Sequence, residues 1–313
     1  MLILITLPEF RKASAVYLTS GQEIFPVEPD EASFLEAIHR TGACRAIVGM
    51  VCYSEAVYQA LGENAAARGE ETALLCRFGV GMDSVNREFA RKWNVRLANT
   101  PGVLNRSVAE HTIWLLGAAA KRLGSADASV RSGAFAPQTG RELFGKRLLL
   151  AGFGGIARET ARIAHFGFGM RVTAFARHEP EPEVLAQCGV ERFTTDLEPV
   201  LPEADAVCVL LASTPETFHF FGASRFALMR PDVLFVNTAR GALVDETALF
   251  DFLTAHPDAF AALDVFETEP YAPQDPARDL RLLANTFFTA HHGSSTREAN
   301  RAIARATLEH FTK

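Results

Sequence analysis

The sequence predicts an α/β protein with two doubly wound, mostly parallel sheets. Short apolar runs bounded by Gly, Pro or Asp alternate with helical patterns almost throughout, and this alternation is typical of parallel sheets. The length of 313 residues is enough for two domains with sizeable cores. Proline and glycine punctuate the chain at Asn99-Thr100-Pro101-Gly102, so we expect the first domain to end there.

The individual strands are predicted from short apolar runs with the length of buried strands. They fall at 2–7, 45–50, 72–77 and 95–98 before the boundary, and at 147–151, 171–175, 206–210, 234–237 and 260–263 after it. Helical patterns lie between them, for example at 156–165 and 246–255, and a long apolar helix is expected at 107–121. The run from 285 to 311 predicts a strand, a turn and a final amphipathic helix.

Composition and charge restrict the possible partners. The net charge is -6 without a dense Lys/Arg run, which argues against nucleic acid or an anionic membrane as a main partner. Five cysteines, at 44, 52, 76, 188 and 208, form no CxxC pair and predict reduced thiols. The apolar start lacks a basic region and is too short to span a bilayer, so we expect a first strand and a cytoplasmic location. We expect no bound metal ion.

A glycine-rich turn predicts a dinucleotide site. The segment "GFGGIA", residues 152–157, lies between a buried strand and a helix and has the GxGxxA form of the dinucleotide fingerprint. Gly152 allows the tight turn, Gly154 lets the backbone approach a pyrophosphate, and Ala157 lets the helix pack close to the strand. Gly155 and Ile156 begin the helix, whose first amides face the anion.

The next strand predicts which cofactor is preferred. An NAD site usually has an acidic residue at its end, where it binds the ribose 2′-hydroxyl. Here Phe175 is followed by Ala176, Arg177 and His178, so a carboxylate is missing and a cation is present. We therefore predict a preference for NADP(H), with NAD(H) also possible. The alternative is a solvated Arg177 in a site that accepts both.

Three residues in the later part of the chain suggest hydride chemistry on a 2-oxo acid. Arg240 follows the strand at 234–237, and its planar fork fits a carboxylate and polarises a carbonyl. His291 or His292 can supply a proton near neutral pH, and Glu269 can pair with the imidazole. Taken singly, each is equally explained as a loop charge or a turn residue.

Together, these segments resemble the D-isomer-specific 2-hydroxyacid dehydrogenase family. The matching motifs are "RFGVGMDSVN", "VRLANTPGVLNRSVAEHTIWLLGAAAKR", "GFGGIA", "LASTPET", "VNTARGALVDE", "ALDVFETEP" and "TAHHGSST", from about residue 72 to residue 296. The resemblance implies catalytic roles for Arg240, Glu269 and His291. It also implies substrate binding by the backbone of the Gly79-Val80-Gly81 loop, at Val80 and Gly81, and cofactor contacts at Thr214, Thr238, Ala239 and Asp264. Ala290 and Ala212 replace prolines of the family pattern.

The resemblance also implies a domain arrangement. A flavodoxin-like substrate domain, 1–99 plus 286–313, is expected to be interrupted by a Rossmann cofactor domain at 100–285. The helix at 107–121 and the segment 124–143, with Phe135, resemble an arm that forms a homodimer. The implied substrate is a small 2-oxo acid or D-2-hydroxy acid, with glyoxylate and hydroxypyruvate as the leading candidates.

Some alternatives stay open at this point. Tyr53 and Arg77 are equally explained as substrate contacts and as packing or surface groups. A dehydrogenase of the same fold that acts on another small anion fits much of the pattern. So does a non-catalytic NAD(H)-binding scaffold of the kind that acts in transcriptional repression.

Overall fold

A computed structural model describes residues 2–312, which form two compact units. The first unit holds the chain up to Leu104 and again from Ser295, and the second holds Asn105–Ser294. Each unit contains one sheet made entirely of parallel strands. The fold predicted from the strand–helix alternation is therefore confirmed.

The strands alternate with helices along the chain. The strands are β1 (Leu2–Thr6), β2 (Glu23–Val27), β3 (Arg45–Val48), β4 (Ala73–Arg77), β5 (Val95–Ala98), β6 (Arg147–Ala151), β7 (Arg171–Phe175), β8 (Val190–Thr194), β9 (Ala206–Val209), β10 (Leu234–Asn237), β11 (Phe260–Leu263) and β12 (Thr286–Phe288). The helices are α1 (Leu7–Lys12), α2 (Ser14–Leu18), α3 (Glu31–Thr41), α4 (Glu55–Ala67), α5 (Arg87–Lys92), α6 (Asn105–Lys121), α7 (Leu123–Arg131), α8 (Gly155–Arg162), α9 (Pro182–Gln187), α10 (Ala223–Phe226), α11 (Glu246–Ala255) and α12 (Arg297–Thr312). No helix among residues 2–312 is long and apolar enough to cross a membrane.

The order of strands in each sheet locates the places where ligands bind. The first sheet has the order β2-β1-β3-β4-β5, which is the flavodoxin-like order. The second has the order β12-β11-β10-β9-β6-β7-β8, which is the Rossmann order with one added strand. Strand order reverses between β6 and β9, and ligands of such sheets bind at the carboxyl ends of the strands beside this reversal.

Two strands were absent from the sequence prediction, and both lie at sheet edges. β2 has the sequence EIFPV and β8 has VERFT, so neither is a continuous apolar run. Each pairs with a neighbouring strand along one edge only. Edge strands are less buried than central ones, so polar side chains are tolerated in them. Proline is tolerated at an edge because its missing N–H removes no hydrogen bond from the ladder, which explains Pro26 in β2.

The boundaries of the two units differ from the predicted ranges. The sequence predicts domain boundaries between residues 99 and 100 and between residues 285 and 286. In the structure, the units divide after Leu104 and after Ser294. The second difference has a clear cause: β12 pairs with β11 through Ala261–Thr286 and Leu263–Phe288, so it is an edge strand of the second sheet. The loop that follows β12 belongs to the same unit, and this loop carries His291.

Alternation along the central strands gives the second sheet an apolar core on each face. Leu149, Val207 and Phe235 belong to one core, and their neighbours Leu148, Cys208 and Val236 belong to the other. The first core is rich in phenylalanine, and the rings of Phe221, Phe226, Phe235 and Phe252 contact one another with centroids 5.4–6.5 Å apart. These phenylalanines fill a core rather than line a pocket.

Candidate active site

The glycine turn after β6 is forced by the strand next to it. Gly152 has φ +113°, and a Cβ added there would lie 2.4 Å from the carbonyl oxygen of Leu210. Leu210 follows β9 directly, and its amide donates to the oxygen of Ala151 at the end of β6. A side chain at position 152 would therefore push the two central strands apart, so only glycine fits this turn.

The start of α8 has the space that a pyrophosphate needs. Gly154 is the N-cap, and a Cβ added there would meet nothing within 4 Å. The free backbone amides at this helix end and the positive end of the helix dipole both favour an anion. Nε of Arg158, one turn further on, is buried and has no hydrogen-bond partner within the described part of the chain. These features fit a dinucleotide, and Arg158 is a cation that sequence reasoning missed because it resembles an ordinary solvated helix residue.

The other helix-start residues are also where the fingerprint requires them. Ala157 is buried, and Gly155 packs so closely on Asn105 that an added Cβ would lie 2.2 Å from its Nδ2. β7 runs beside this turn, since the amide of Gly152 donates to the oxygen of Phe175 at 2.9 Å. Arg177, two residues further on, is exposed.

Arg177 has an acidic neighbour. Glu216 lies in the loop after β9, where its pKa is lowered by a hydrogen bond with the Thr214 side chain and, to a smaller extent, by the charge of Arg177. The amide of Thr214 donates to Oγ1 of Thr217, so a compact turn fixes this loop. Arg177 and Thr214, both predicted to contact the cofactor, therefore lie on neighbouring loops at the same sheet edge.

A buried asparagine shapes the turn that carries Arg240. Oδ1 of Asn237 accepts from the amide of Ala239 at 3.0 Å, and its Nδ2 donates to the oxygen of Arg240 at 2.9 Å. Oγ1 of Thr238 lies 2.7 Å from Oγ1 of Thr112 on α6, which fixes the turn from the other side. Sequence reasoning treated Asn237 only as the end of a strand, because no spacing rule marks such a local hydrogen bond.

Gly241 is required because another backbone lies directly against it. A Cβ added at Gly241 would lie 1.8 Å from the carbonyl carbon of Phe266 and 2.2 Å from the nitrogen of Glu267. The turn after β10 thus packs on the Phe266–Glu267 peptide of the loop after β11. That same loop carries Glu269, so the positions of Arg240 and Glu269 are linked through backbone contact.

The structure brings His291 and Glu269 together. Nδ1 of His291 lies 2.7 Å from Oε2 of Glu269, and the other carboxylate oxygen accepts from the amide of Phe266 at 3.1 Å. Partial burial opposes ionisation of Glu269, but the hydrogen bond and charge of His291, the Phe266 amide and the charge of Arg240 together lower its pKa. The predicted arginine, glutamate and histidine therefore interact within one unit.

The neighbouring His292 is placed differently. Its side chain is exposed and its ring lies 6.1 Å from that of His111, centroid to centroid. His291 has φ +50°, and its ring is bonded to Glu269, whereas the ring of His292 lies near His111. Of the two histidines that the residues alone left open, His291 is the one that contacts Glu269.

Asp264 fixes the loop that carries both histidines. It is 1% exposed, and its carboxylate accepts from the Thr289 hydroxyl and from the amides of His292 and Gly293, and it lies 3.2 Å from Nε2 of His111. Burial alone would raise the pKa of Asp264, but these hydrogen bonds together lower it. His111, on α6, is a further residue that sequence reasoning missed. The cofactor contact predicted for Asp264 stays a prediction.

The residues expected to contact substrate in the first unit follow β4 or lie near it. Gly79 has φ +126°, its carbonyl accepts from the amide of Thr100, and the carbonyl of Val80 accepts from Asn99. Tyr53 is 5% exposed, donates to the oxygen of Pro29 and stacks on Phe34. Of the two explanations left open for Tyr53, packing is therefore the one that its contacts support. Arg77 is buried and donates to the sulfur of Met50.

Comparison with known proteins identifies similar chains. The family model for the D-isomer specific 2-hydroxyacid dehydrogenase, NAD binding domain, matches residues 113–293. The chain is 34% identical over 288 residues to the glyoxylate reductase of Thermococcus litoralis, covering 89% of this chain and 82% of the relative. It is 34% identical over 248 residues to the hydroxypyruvate reductase of Thermotoga maritima, covering 78% of both. The apo-structure of D-lactate dehydrogenase from Escherichia coli matches with a TM-score of 0.83 and 25% identity, covering 100% of this chain and 96% of that one.

The parallel sheets, the glycine turn and these matches define an oxidoreductase with a nicotinamide cofactor. The chain belongs to the D-isomer-specific 2-hydroxyacid dehydrogenase family. The resemblance stated from the sequence motifs is confirmed, and so is the prediction of an enzyme.

The donors around Asp264 predict how its loss would act on stability. Asp264→Asn should lower the free energy of unfolding near neutral pH by about 1.5–3 kcal/mol, because hydrogen bonds to a charged group are lost. The folded pKa of Asp264 is lowered, so its contribution is present above its unfolded pKa and disappears as pH falls through the folded value. Urea unfolding at neutral and acid pH measures both effects, and the variant should lose less stability in acid than the wild type.

The matched control is Asp258→Asn, since the Asp258 side chain is 82% exposed. This change should alter neither the stability nor its pH dependence appreciably. Equal effects of the two substitutions would contradict the role given to the buried carboxylate.

Proposed function

We propose that this enzyme transfers a hydride between a nicotinamide cofactor, preferably NADPH, and a small 2-oxo acid or its D-2-hydroxy acid. The observation that carries the proposal is the His291–Glu269 hydrogen bond of 2.7 Å within electrostatic range of Arg240. This combination offers a proton donor, a partner for its charge and a carboxylate-binding cation. Relatives named glyoxylate reductase and hydroxypyruvate reductase support these two 2-oxo acids as the leading substrates.

Each proposed cofactor contact lies in the second unit, mostly on loops that follow its strands. When bound, the reduced nicotinamide supplies the hydride. The amides of Gly155 and Ile156, exposed beside the open Gly154, would hold the pyrophosphate after the Gly152 turn. Further contacts are proposed for Arg177, Thr214, Thr238, Ala239 and Asp264, which follow β7, β9, β10 and β11.

Arg240 is proposed to bind the substrate carboxylate and to polarise the carbonyl that is reduced. Its planar guanidinium offers parallel donors to one anion, and its charge stabilises the alkoxide that develops during hydride transfer. Asn237 and Thr238 fix the turn, so this cation is oriented before substrate arrives. Val80 and Gly81 are proposed as substrate-binding residues through their backbone amides, on the strength of the family resemblance.

His291 is proposed to donate the proton that completes the reduction. Its Nδ1 is bonded to Glu269, so the proton passed to the alkoxide is the one on Nε2. The ionised Glu269 stabilises the imidazolium and fixes the ring orientation. In the reverse direction the neutral imidazole takes the hydroxyl proton at the same nitrogen.

The proposed preference for NADPH follows from charge. Arg177 stands where an acidic residue would bind the ribose 2′-hydroxyl, and a cation attracts a 2′-phosphate that a carboxylate would repel. Glu216 lies close enough to Arg177 to interact with it and partly offsets this attraction. The net preference is therefore for NADPH without exclusion of NADH.

A change at His291 tests proton transfer. His291→Gln should lower kcat with glyoxylate or hydroxypyruvate by about 10²–10⁴-fold, because the proton donor is lost. The neighbouring His292→Gln is the matched control and should keep nearly normal turnover, since the ring bonded to Glu269 is that of His291 and the ring of His292 lies near His111. Oxidation of NADPH followed by absorbance gives both rates. Near-normal turnover of His291→Gln would remove this residue from the mechanism.

A change at Arg177 tests cofactor choice. Arg177→Ala should weaken NADPH binding about tenfold or more and leave NADH binding nearly unchanged, because the hydrogen bond to a charged phosphate is lost. Arg171→Ala serves as the control, since Arg171 is an exposed arginine at the other end of the same strand. Titration of each variant with both cofactors measures the effect, and equal losses for NADPH and NADH would contradict the proposal.

A homodimer is proposed from the apolar side chains that α6, α7 and the following segment leave exposed. They include Trp114, Leu123, Val130, Phe135 and Phe144, with exposures from 48% to 81%. So much exposed apolar surface on consecutive elements favours burial against a second copy. Sedimentation should show a dimer at micromolar concentration, and Trp114→Glu should shift it toward monomer. A wild-type monomer at that concentration would reject the proposal.

The cytoplasm is proposed as the location. All five cysteines are free, and four of them are buried. Reduced thiols of this kind are usual in a reducing compartment.

A further inference from the structure

One peptide bond of the loop after β11, between Phe266 and Glu267, is packed between Gly241 and Glu246, which both follow β10. The Phe266–Glu267 peptide packs on Gly241 on one side, as the added Cβ distance of 1.8 Å shows. On the other side, the amide of Glu267 donates to Oε1 of Glu246 at 2.8 Å. Arg240 precedes Gly241, and Glu269 follows Glu267. The peptide is therefore the point at which the Arg240 turn and the Glu269 loop are joined.

Glu246 is buried next to a second carboxylate. It is 7% exposed, and its Oε2 has no hydrogen-bond partner among residues 2–312. Glu267, by contrast, accepts from Nε2 of His219 at 2.9 Å and from Nε2 of Gln274 at 2.7 Å. Because the donors contact Glu267 and burial surrounds Glu246, Glu246 is the carboxyl group of the pair whose charged form is disfavoured.

We propose that Glu246 is a positioning residue, whose neutral carboxyl group holds the Phe266–Glu267 peptide on Gly241 and so fixes Glu269 relative to Arg240. This inference rests on the proposed catalytic roles of those two residues and adds a residue that contacts neither substrate nor cofactor. Its effect on the reaction passes through the Glu269–His291 pair. The free carboxyl oxygen is explained as well, because an unpaired neutral oxygen costs far less when buried than an unpaired charge.

The charges around Glu246 support a neutral state. Burial raises the pKa of Glu246 from its ordinary 4.5 to about 7; the Glu267 amide and the charge of His219 oppose this rise, while the carboxylates of Glu267 and Glu269 add to it. Tyr271 faces it from the same loop, and Asp245 precedes it on its own helix. Ionisation of Glu246 would place a second negative charge beside Glu267 and weaken the packing of the Phe266–Glu267 peptide between Glu246 and Gly241.

The sign of the pH dependence follows from that shift. A carboxyl group with a raised folded pKa binds more protons in the folded state. Its neutral form therefore supports the fold fully below pH 4.5, and this support is lost as pH rises through about 7. Glu246→Gln keeps an acceptor for the Glu267 amide and cannot ionise, so it should remove this loss.

The first test measures stability and needs no turnover. Urea unfolding of the full chain is compared at about pH 5.5 and about pH 8.5 for the wild type, Glu246→Gln and the control Glu183→Gln. Glu183 is an exposed carboxylate in the first turn of α9. We expect the wild type and the control to lose more stability at the higher pH than Glu246→Gln does. The same pH dependence in all three proteins would overturn the neutral carboxyl group.

The second test measures turnover. A misplacement of about 1 Å at a reacting centre costs about 10²-fold, so Glu246→Ala should lower kcat by roughly that factor while KM for the cofactor changes little. Glu246→Gln should restore kcat at neutral pH. A folded Glu246→Ala enzyme with wild-type kcat, or a Gln variant as slow as the Ala variant, would overturn the positioning role. If the wild type turns over no 2-oxo acid, the proposed function fails, and the unfolding comparison still decides the state of Glu246.

Discussion

The geometry of the candidate site depends on the buried carboxylate of Asp264. This carboxylate follows β11 and is reached by donors from the loop after β12 and from α6. A buried carboxylate without such donors would cost several kcal/mol, so the loop must close on Asp264 for the unit to be stable. The backbone carbonyl group of Asp264 also accepts from the amide of His291 at 2.7 Å. The backbone of the loop that carries His291 is thus held by both the carboxylate and the main-chain carbonyl of Asp264.

A second constraint joins the remaining two residues of the set. β10 and β11 are neighbours in register, so the loops that follow them start side by side at one edge of the sheet. The absence of a side chain at Gly241 lets these loops meet backbone to backbone, and the carboxyl group of Glu246 holds them there. Arg240 and Glu269 are therefore positioned by main-chain packing, which is more rigid than contact between long side chains.

Glycines also shape the turn between β6 and α8, but there the two glycines have different effects. Gly152 lets β6 and β9 stay close at the point where the strand order reverses, whereas Gly154 keeps open space in front of α8. Gly152 is required because the backbone of Leu210 lies against it, whereas Gly154 leaves the space that the proposed dinucleotide would occupy. The proposed preference between the two nicotinamide cofactors rests on exposed charges, Arg177 and Glu216, which solvent screens.

The sequence by itself determined the two parallel sheets and the glycine turn and singled out Arg240 and Glu269 as candidates, because apolar runs and short motifs are local patterns. It did not reveal β2 and β8, since edge strands are not required to be apolar, or the place of β12, since pairing is not encoded in the strand alone. The family resemblance pointed to His291 rather than His292, and only the tertiary structure showed its contact with Glu269 and added Asn237, His111 and Glu246. These residues act through neighbours that are distant along the chain or through local hydrogen bonds without a spacing rule, and such contacts exist only once the sheets are packed.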